Sequence, residues 1–192
     1  MVRHITLPLL LISGIALVSC DRTRPSPTAA SPPEALIGRF TLTLTAGAEC
    51  AAIPDAAKTR RYLASIDATG NDKYVVTLSD ATFLTGPICT AGSTRFAGVG
   101  CHQFFASRQD DVVQFDLANN NDEAHGGHIV EQLSLGTWLE IIGNGTGRLH
   151  ASTIVAMGTA SLWYCPSARS YPFPCFDFVG CSSDLQLTFT RR

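Results

Sequence analysis

Two stretches near opposite ends of the chain, RFTLTLT at 39–45 and DLQLTFT at 184–190, alternate apolar and polar residues one for one. Successive side chains of an extended strand point to opposite faces, so this period fits a strand with one buried and one wet face rather than a helix. Phe40, Leu42 and Leu44 would share one core face, as would Leu185, Leu187 and Phe189. Similar runs recur between them: Tyr62, Ala64 and Ile66; Tyr74, Val76 and Leu78; Val113, Phe115 and Leu117; then TWLEIIG at 137–143 and TIVAMGTASLWY at 153–164. Polar turns separate several of these runs, at Thr69 to Asp72, Gln109 to Asp111 and Asn119 to Gly127. Only Ala51 to Arg61 reads as helical, with Pro54 and Asp55 at a plausible start.

Strands joined by tight turns form an antiparallel meander, because parallel units need crossovers of about a dozen residues or more. A meander of about eight or nine strands usually closes on itself to remove its edges. The predicted fold is therefore all-β: a single antiparallel up-and-down β-barrel-like domain with one short helix, in which the Phe40 strand pairs with the Leu187 strand to close the barrel. At 192 residues the chain suits one such domain. A formal net charge of -2, with 16% charged residues, leaves no basic field for nucleic acid.

The seven cysteines place the domain. Residues 1–19 have the parts of an export signal, with Arg3 as a positive start and an apolar stretch from Ile5 to Val18. The residues Leu17-Val18-Ser19-Cys20 resemble the lipobox of bacterial lipoproteins. That resemblance implies a diacylglycerol thioether on Cys20, which becomes the new N-terminus and anchors the protein to a membrane of the cell envelope. Residues 20–36, with Pro25, Pro27, Pro32 and Pro33 among Ser, Thr and Ala, then read as an extended tether, and residues 37–192 as the barrel-like domain outside the cytoplasm.

Setting Cys20 aside leaves six cysteines, Cys50, Cys89, Cys101, Cys165, Cys175 and Cys181, an even set suited to disulfides in an oxidising compartment. Cys89 to Cys101 would be a local staple. In a barrel with an even number of strands the end of the first strand lies beside the start of the last, which favours Cys50 to Cys181 and leaves Cys165 to Cys175. The meandering strands, the Gly38-Arg39-Phe40 that opens the first of them, and Arg191 and Arg192 ending the last also resemble a lipocalin-type barrel. That resemblance implies the same architecture.

Three features are candidate sites. In LEIIGNGTGRL, Gly143, Gly145 and Gly147 fall on the apolar face, and Gly158 lies on the corresponding face of the neighbouring strand. This pattern suits a sharply coiled corner where backbones approach closely ahead of the other reading, a hollow for a small apolar ligand. In the loop 165–181, Tyr171, Phe173, Phe176 and Phe178 crowd among cysteines and prolines, as a lid, a contact surface or an inward plug. Glu123, His125, His128 and Glu131 are metal-capable types at close spacing, with His102 and His150 as possible additions, but no recognised ligand spacing joins them. His125 and His128 are weak metal candidates.

No nucleophile elbow, phosphate-binding loop or zinc-protease motif occurs, and no cofactor is implied. The expectation is a non-enzymatic, membrane-anchored lipoprotein binding a small apolar ligand or an envelope component. A protein-interaction or inhibitor module using loop 165–181 is the alternative.

Overall fold

A computed structural model describes residues 36–85, 101–117, 127–167, 175 and 177–192. The elements run β1 (Gly38–Ala46), α1 (Asp55–Lys58), β2 (Thr59–Gly70), β3 (Lys73–Ser79), β4 (Gln103–Gln109), β5 (Val112–Asp116), β6 (Ile129–Ser134), β7 (Thr137–His150), β8 (Thr153–Cys165) and β9 (Val179–Arg191). All pair antiparallel in the order β5-β4-β3-β2-β1-β9-β8-β7-β6, with a further pairing of β5 to β7. That last pairing closes a barrel of eight strands and leaves β6 as an addition. The first and last strands pair as the alternation predicts, Leu42 opposite Phe189 and Leu44 opposite Leu187.

β5 and β6 share one edge of β7. β5 covers 144–148 and β6 covers 137–141. In the half of the barrel served by β6, its free edge is met by Phe83 and His102 through single bridges. β4 and β6 are absent from the predicted set of strands. In β4 an outward Phe105 blurs the alternation, and in β6 the adjacent Ile129 and Val130 are both buried, because the strand is covered on two faces.

The predicted helix from Ala51 to Arg61 shortens to one turn, Asp55–Lys58, with no side-chain hydrogen bond capping its start. Thr59 is already extended and opens β2, since Arg60 and Tyr62 make their side-chain bonds from strand positions.

The barrel has unlike ends. Hairpins β2–β3, β4–β5 and β7–β8 turn in two residues each, with Asp72, Asp110 and Ala151 at positive φ. These turns and the entry of the chain at Leu36 form the tight-turn end. The longer connections, including those after β1 and β8, leave the other end, and α1 sits there. Among the described residues no helix is long and apolar enough to cross a membrane.

Inside, the alternation fills the barrel with aromatic and branched side chains. Phe40, Phe104, Phe115 and Phe189 are each 0% exposed. Phe115 stacks on Phe189 at 4.7 Å between ring centroids, Phe40 meets Phe189 edge-on at 6.1 Å, and Phe104 meets Phe115 at 6.3 Å. Such pairs add to the burial of their large apolar areas.

Two disulfides brace the loop-bearing end. Cys50 joins Cys181, and Cys165 joins Cys175, the pairing that an even-stranded barrel predicts. Cys101 is also disulfide-bonded, and Cys89 lies outside the described residues, as does Cys20.

Candidate functional site

Gly143, Gly145 and Gly158 lie where two strands approach closely, the corner reading of this pattern. These residues oppose Ala160, Gly158 and Gly145 across the β7–β8 ladder. A Cβ built on Gly158 would fall beside the backbone of Asn144 and Gly145, and one on Gly143 would fall 2.8 Å from the Ala160 Cα. Gly147 has the Ala156 Cα in the same place, at 2.7 Å. The missing side chains leave no void; they let two strongly coiled strands approach where the barrel turns a corner. Gly158→Ala is accordingly expected to lower stability by about 2–3 kcal/mol, an overpacking cost. A denaturant midpoint unchanged from wild type would show that the corner can relax.

Of the metal-capable residues near β6, Glu131 is already engaged by other side chains. Glu131 is 2% exposed and belongs to the barrel wall. Arg60 Nε donates to its Oε2 at 2.8 Å and Arg60 Nη2 donates to its Oε1, while Tyr62 donates its hydroxyl to Oε2 at 2.8 Å. With both oxygens held, Glu131 is a poor metal ligand. Burial, followed by the neighbouring Glu131 charge, pushes the Tyr62 phenol well above its usual range, and the hydrogen bond to Glu131 raises the Arg60 guanidinium.

His128 lies on the other face, its Nε2 3.7 Å from Cys101 Sγ and 3.8 Å from Glu140 Oε1. His102 packs its ring 5.7 Å from Phe83, and burial lowers its pKa. His125 and Glu123 lie outside the described residues. Among the described residues no group of three metal-capable side chains comes together.

The features that set the loop-bearing end apart lie on its outer surface. A second, small apolar cluster forms there around Cys101, Val130, Trp138 and Cys165, with Leu84 and Cys175 packed against it. Beside it, β8 turns Trp163 outward, opposite Glu140 on β7 and Gly180 on β9. Trp163 stays 43% exposed and Phe178 52% exposed, with ring centroids 5.1 Å apart. A Cβ on Gly180 would lie 3.4 Å from the indole and 3.5 Å from the Phe178 ring, so both rings rest against that glycine.

The Cys165–Cys175 bridge, spanning ten residues of sequence, ties β8 to Cys175, three residues before Phe178. The tip of the β6–β7 hairpin adds Leu135, 98% exposed, at the same end. Of the predicted loop aromatics, Tyr171, Phe173 and Phe176 lie outside the described residues, and Phe178 is on the surface. Trp163 was not among the predicted site residues. Its signal is the outward position it holds in the alternating run TIVAMGTASLWY, where a large aromatic residue replaces a polar one.

Fold and site together define a disulfide-braced β-barrel with a filled interior and an aromatic platform at its loop-bearing end. No protein-family model, curated protein or solved structure matches the chain.

Proposed function

We propose that the protein is an exported, lipid-anchored, non-enzymatic envelope protein whose barrel holds the Trp163–Phe178 platform toward another envelope protein. The observation that carries this reading is the exposed pair itself. Large aromatic rings in mutual contact, seated on a glycine beside a disulfide, are the residue types that anchor protein interfaces. They come pre-ordered, so a partner loses little conformational freedom on ordering them.

The packed interior supports placing recognition outside the barrel. The lipobox-like Leu17-Val18-Ser19-Cys20 and the proline-rich tether support the anchored location, and the disulfides fit an oxidising compartment.

The test is capture of a partner from solubilised envelope with the full chain, followed by binding measurements on that purified partner. The Trp163→Ser, Phe178→Ser double variant is expected to bind at least tenfold more weakly, about 1.4 kcal/mol or more. Both rings are half exposed, so its thermal midpoint should stay near that of wild type. Equal binding by the two proteins would reject the platform as the interface.

A further inference from the structure

The tight-turn end differs from the platform in charge. Arg39, Lys73, Arg108, Arg148, Arg191 and Arg192 lie at or near it, against Asp67, Asp72, Asp110 and Asp111. Several of these cations are engaged: Arg148 pairs with Asp111 at 3.6 Å, Arg108 Nε donates to the Asp110 carbonyl at 2.6 Å, and Arg191 sits 4.9 Å from the Phe40 ring centroid and donates to the Ile37 carbonyl.

Arg39 and Arg192 differ. Both are exposed, and among the described residues neither makes an ion pair or a side-chain hydrogen bond. They are held next to each other by the backbone, Arg192 N–H donating to the Arg39 carbonyl at 3.0 Å. Together they flank the near end of an outer groove of about 310 Å3 that runs down the barrel wall past the hydroxyl residues Ser65 and Thr77 to Ser79, the last residue of β3. Ser65 Oγ donates to Asp67 Oδ2 at 3.1 Å, which places one carboxylate near the two guanidinium groups.

We propose that this end of the barrel docks on an anionic membrane surface, with phospholipid phosphates taken by Arg39 and Arg192 at the hydroxyl-lined groove. Guanidinium groups suit phosphate because their planar donors bind its oxygens in pairs, and nearby hydroxyls supply further donors. Ile37, 50% exposed beside the groove, offers an apolar contact at the headgroup boundary.

The covalent connectivity points to the same occupant. The chain enters the barrel at Leu36, next to the groove, and the inference rests on the reading of Cys20 as the lipid anchor. A tether of about sixteen residues can span no more than roughly 55 Å of fully extended chain, so an anchor at Cys20 holds the groove within that distance of the bilayer. A weak phosphate contact is then enough to orient the domain. Trp163 and Phe178, at the other end of the barrel, would point away from the membrane.

The experiment is amide hydrogen exchange on the full lipid-bearing chain in vesicles of phosphatidylcholine alone and of phosphatidylcholine with phosphatidylglycerol. Exchange at 37–39 and 191–192 is expected to slow several-fold only with the anionic lipid. The effect should disappear in the Arg39→Gln, Arg192→Gln variant and weaken with salt. Equal exchange in the two membranes would overturn the docking. Slowing of the same amides by inorganic phosphate in zwitterionic vesicles, as strong as that by the anionic lipid, would overturn the membrane as occupant in favour of a free phosphate ligand. Intact mass of Cys20 reads the anchor separately: an acylated chain without charge-dependent protection rejects the docking alone, and an unacylated chain that still binds anionic vesicles rejects the anchor while supporting the groove.

Discussion

Replacing Cys50 and Cys181 by alanine is expected to lower the stability of the oxidised protein by about 4–5 kcal/mol, the chain-entropy value for so long a loop. The bridge spans 131 residues of sequence, nearly the whole barrel. Without it the unfolded chain regains the freedom of its two ends, whereas the folded barrel still holds them through the β1–β9 ladder. The thermal midpoint should fall by roughly 10–20 °C for a domain of this size.

Cys165 and Cys175 provide the internal control. They are ten residues apart, so the same reasoning gives only about 2.5–3 kcal/mol for their replacement. Guanidinium titrations of the two double variants measure both losses. If the short bridge proves as costly as the long one, loop closure is not the main source of stabilisation, and local packing of Cys165 in the apolar cluster with Trp138 would have to supply the difference.

The same bridge shows how far the amino-acid pattern reaches. Alternation over 39–45 and 184–190 predicts two strands, and an even barrel predicts that their ends meet; Cys50 and Cys181 then follow from connectivity alone. The pattern works there because each strand has one face in the core and one in water. It fails at β6, where Ile129 and Val130 are both buried and no alternation survives. It does not settle Gly143 and Gly158, because an absent side chain reads the same whether it opens space or admits a neighbouring backbone. Only the β7–β8 approach decides between those.

Recognition of the platform needed similar help from tertiary structure. Phe178 stands out in the sequence as one of several loop aromatics, but which of them faces water depends on the disulfide and on Gly180. Trp163 is hidden in an apolar run whose other face is core. The Arg60–Tyr62–Glu131 contacts join positions about seventy residues apart, and the acid sits in a stretch, HIVE, that reads as a polar surface loop.

Those contacts carry the second large effect. Glu131→Ala is expected to lower stability by about 3–5 kcal/mol, because it leaves Arg60 without its counter-charge and Tyr62 without its acceptor inside the barrel wall. The Glu131 side chain is 3% exposed and that of Arg60 is 24% exposed, so water relieves part of the cost on the arginine and none on the tyrosine hydroxyl, which is buried. Position adds to the effect. β6 is attached to the barrel by its ladder to β7 on one side; on the other, Val130 N–H donates to the Cys101 carbonyl at 2.9 Å, Leu84 N–H to the Val130 carbonyl at 2.9 Å and Gln132 N–H to the Thr82 carbonyl at 2.7 Å. On that second side, the charged bonds from β2 add a side-chain tie to these backbone bonds. Arg60 Nη1 also donates to the Ala56 carbonyl at 3.1 Å, so the same guanidinium holds α1.

Tyr62→Phe removes a single hydroxyl bond to a charged group and should cost about 1.5–3 kcal/mol, less than losing the carboxylate. Replacing the whole network by apolar residues of similar size, Arg60→Met and Tyr62→Phe with Glu131→Leu, should recover most of the loss, since both charges and the hydroxyl that depends on them disappear together. Urea denaturation of these variants separates two accounts. If the triple apolar variant is as unstable as Glu131→Ala, the ion pair supplies binding energy that packing cannot replace; if it approaches wild type, Arg60 and Glu131 serve chiefly to hold β6 in register.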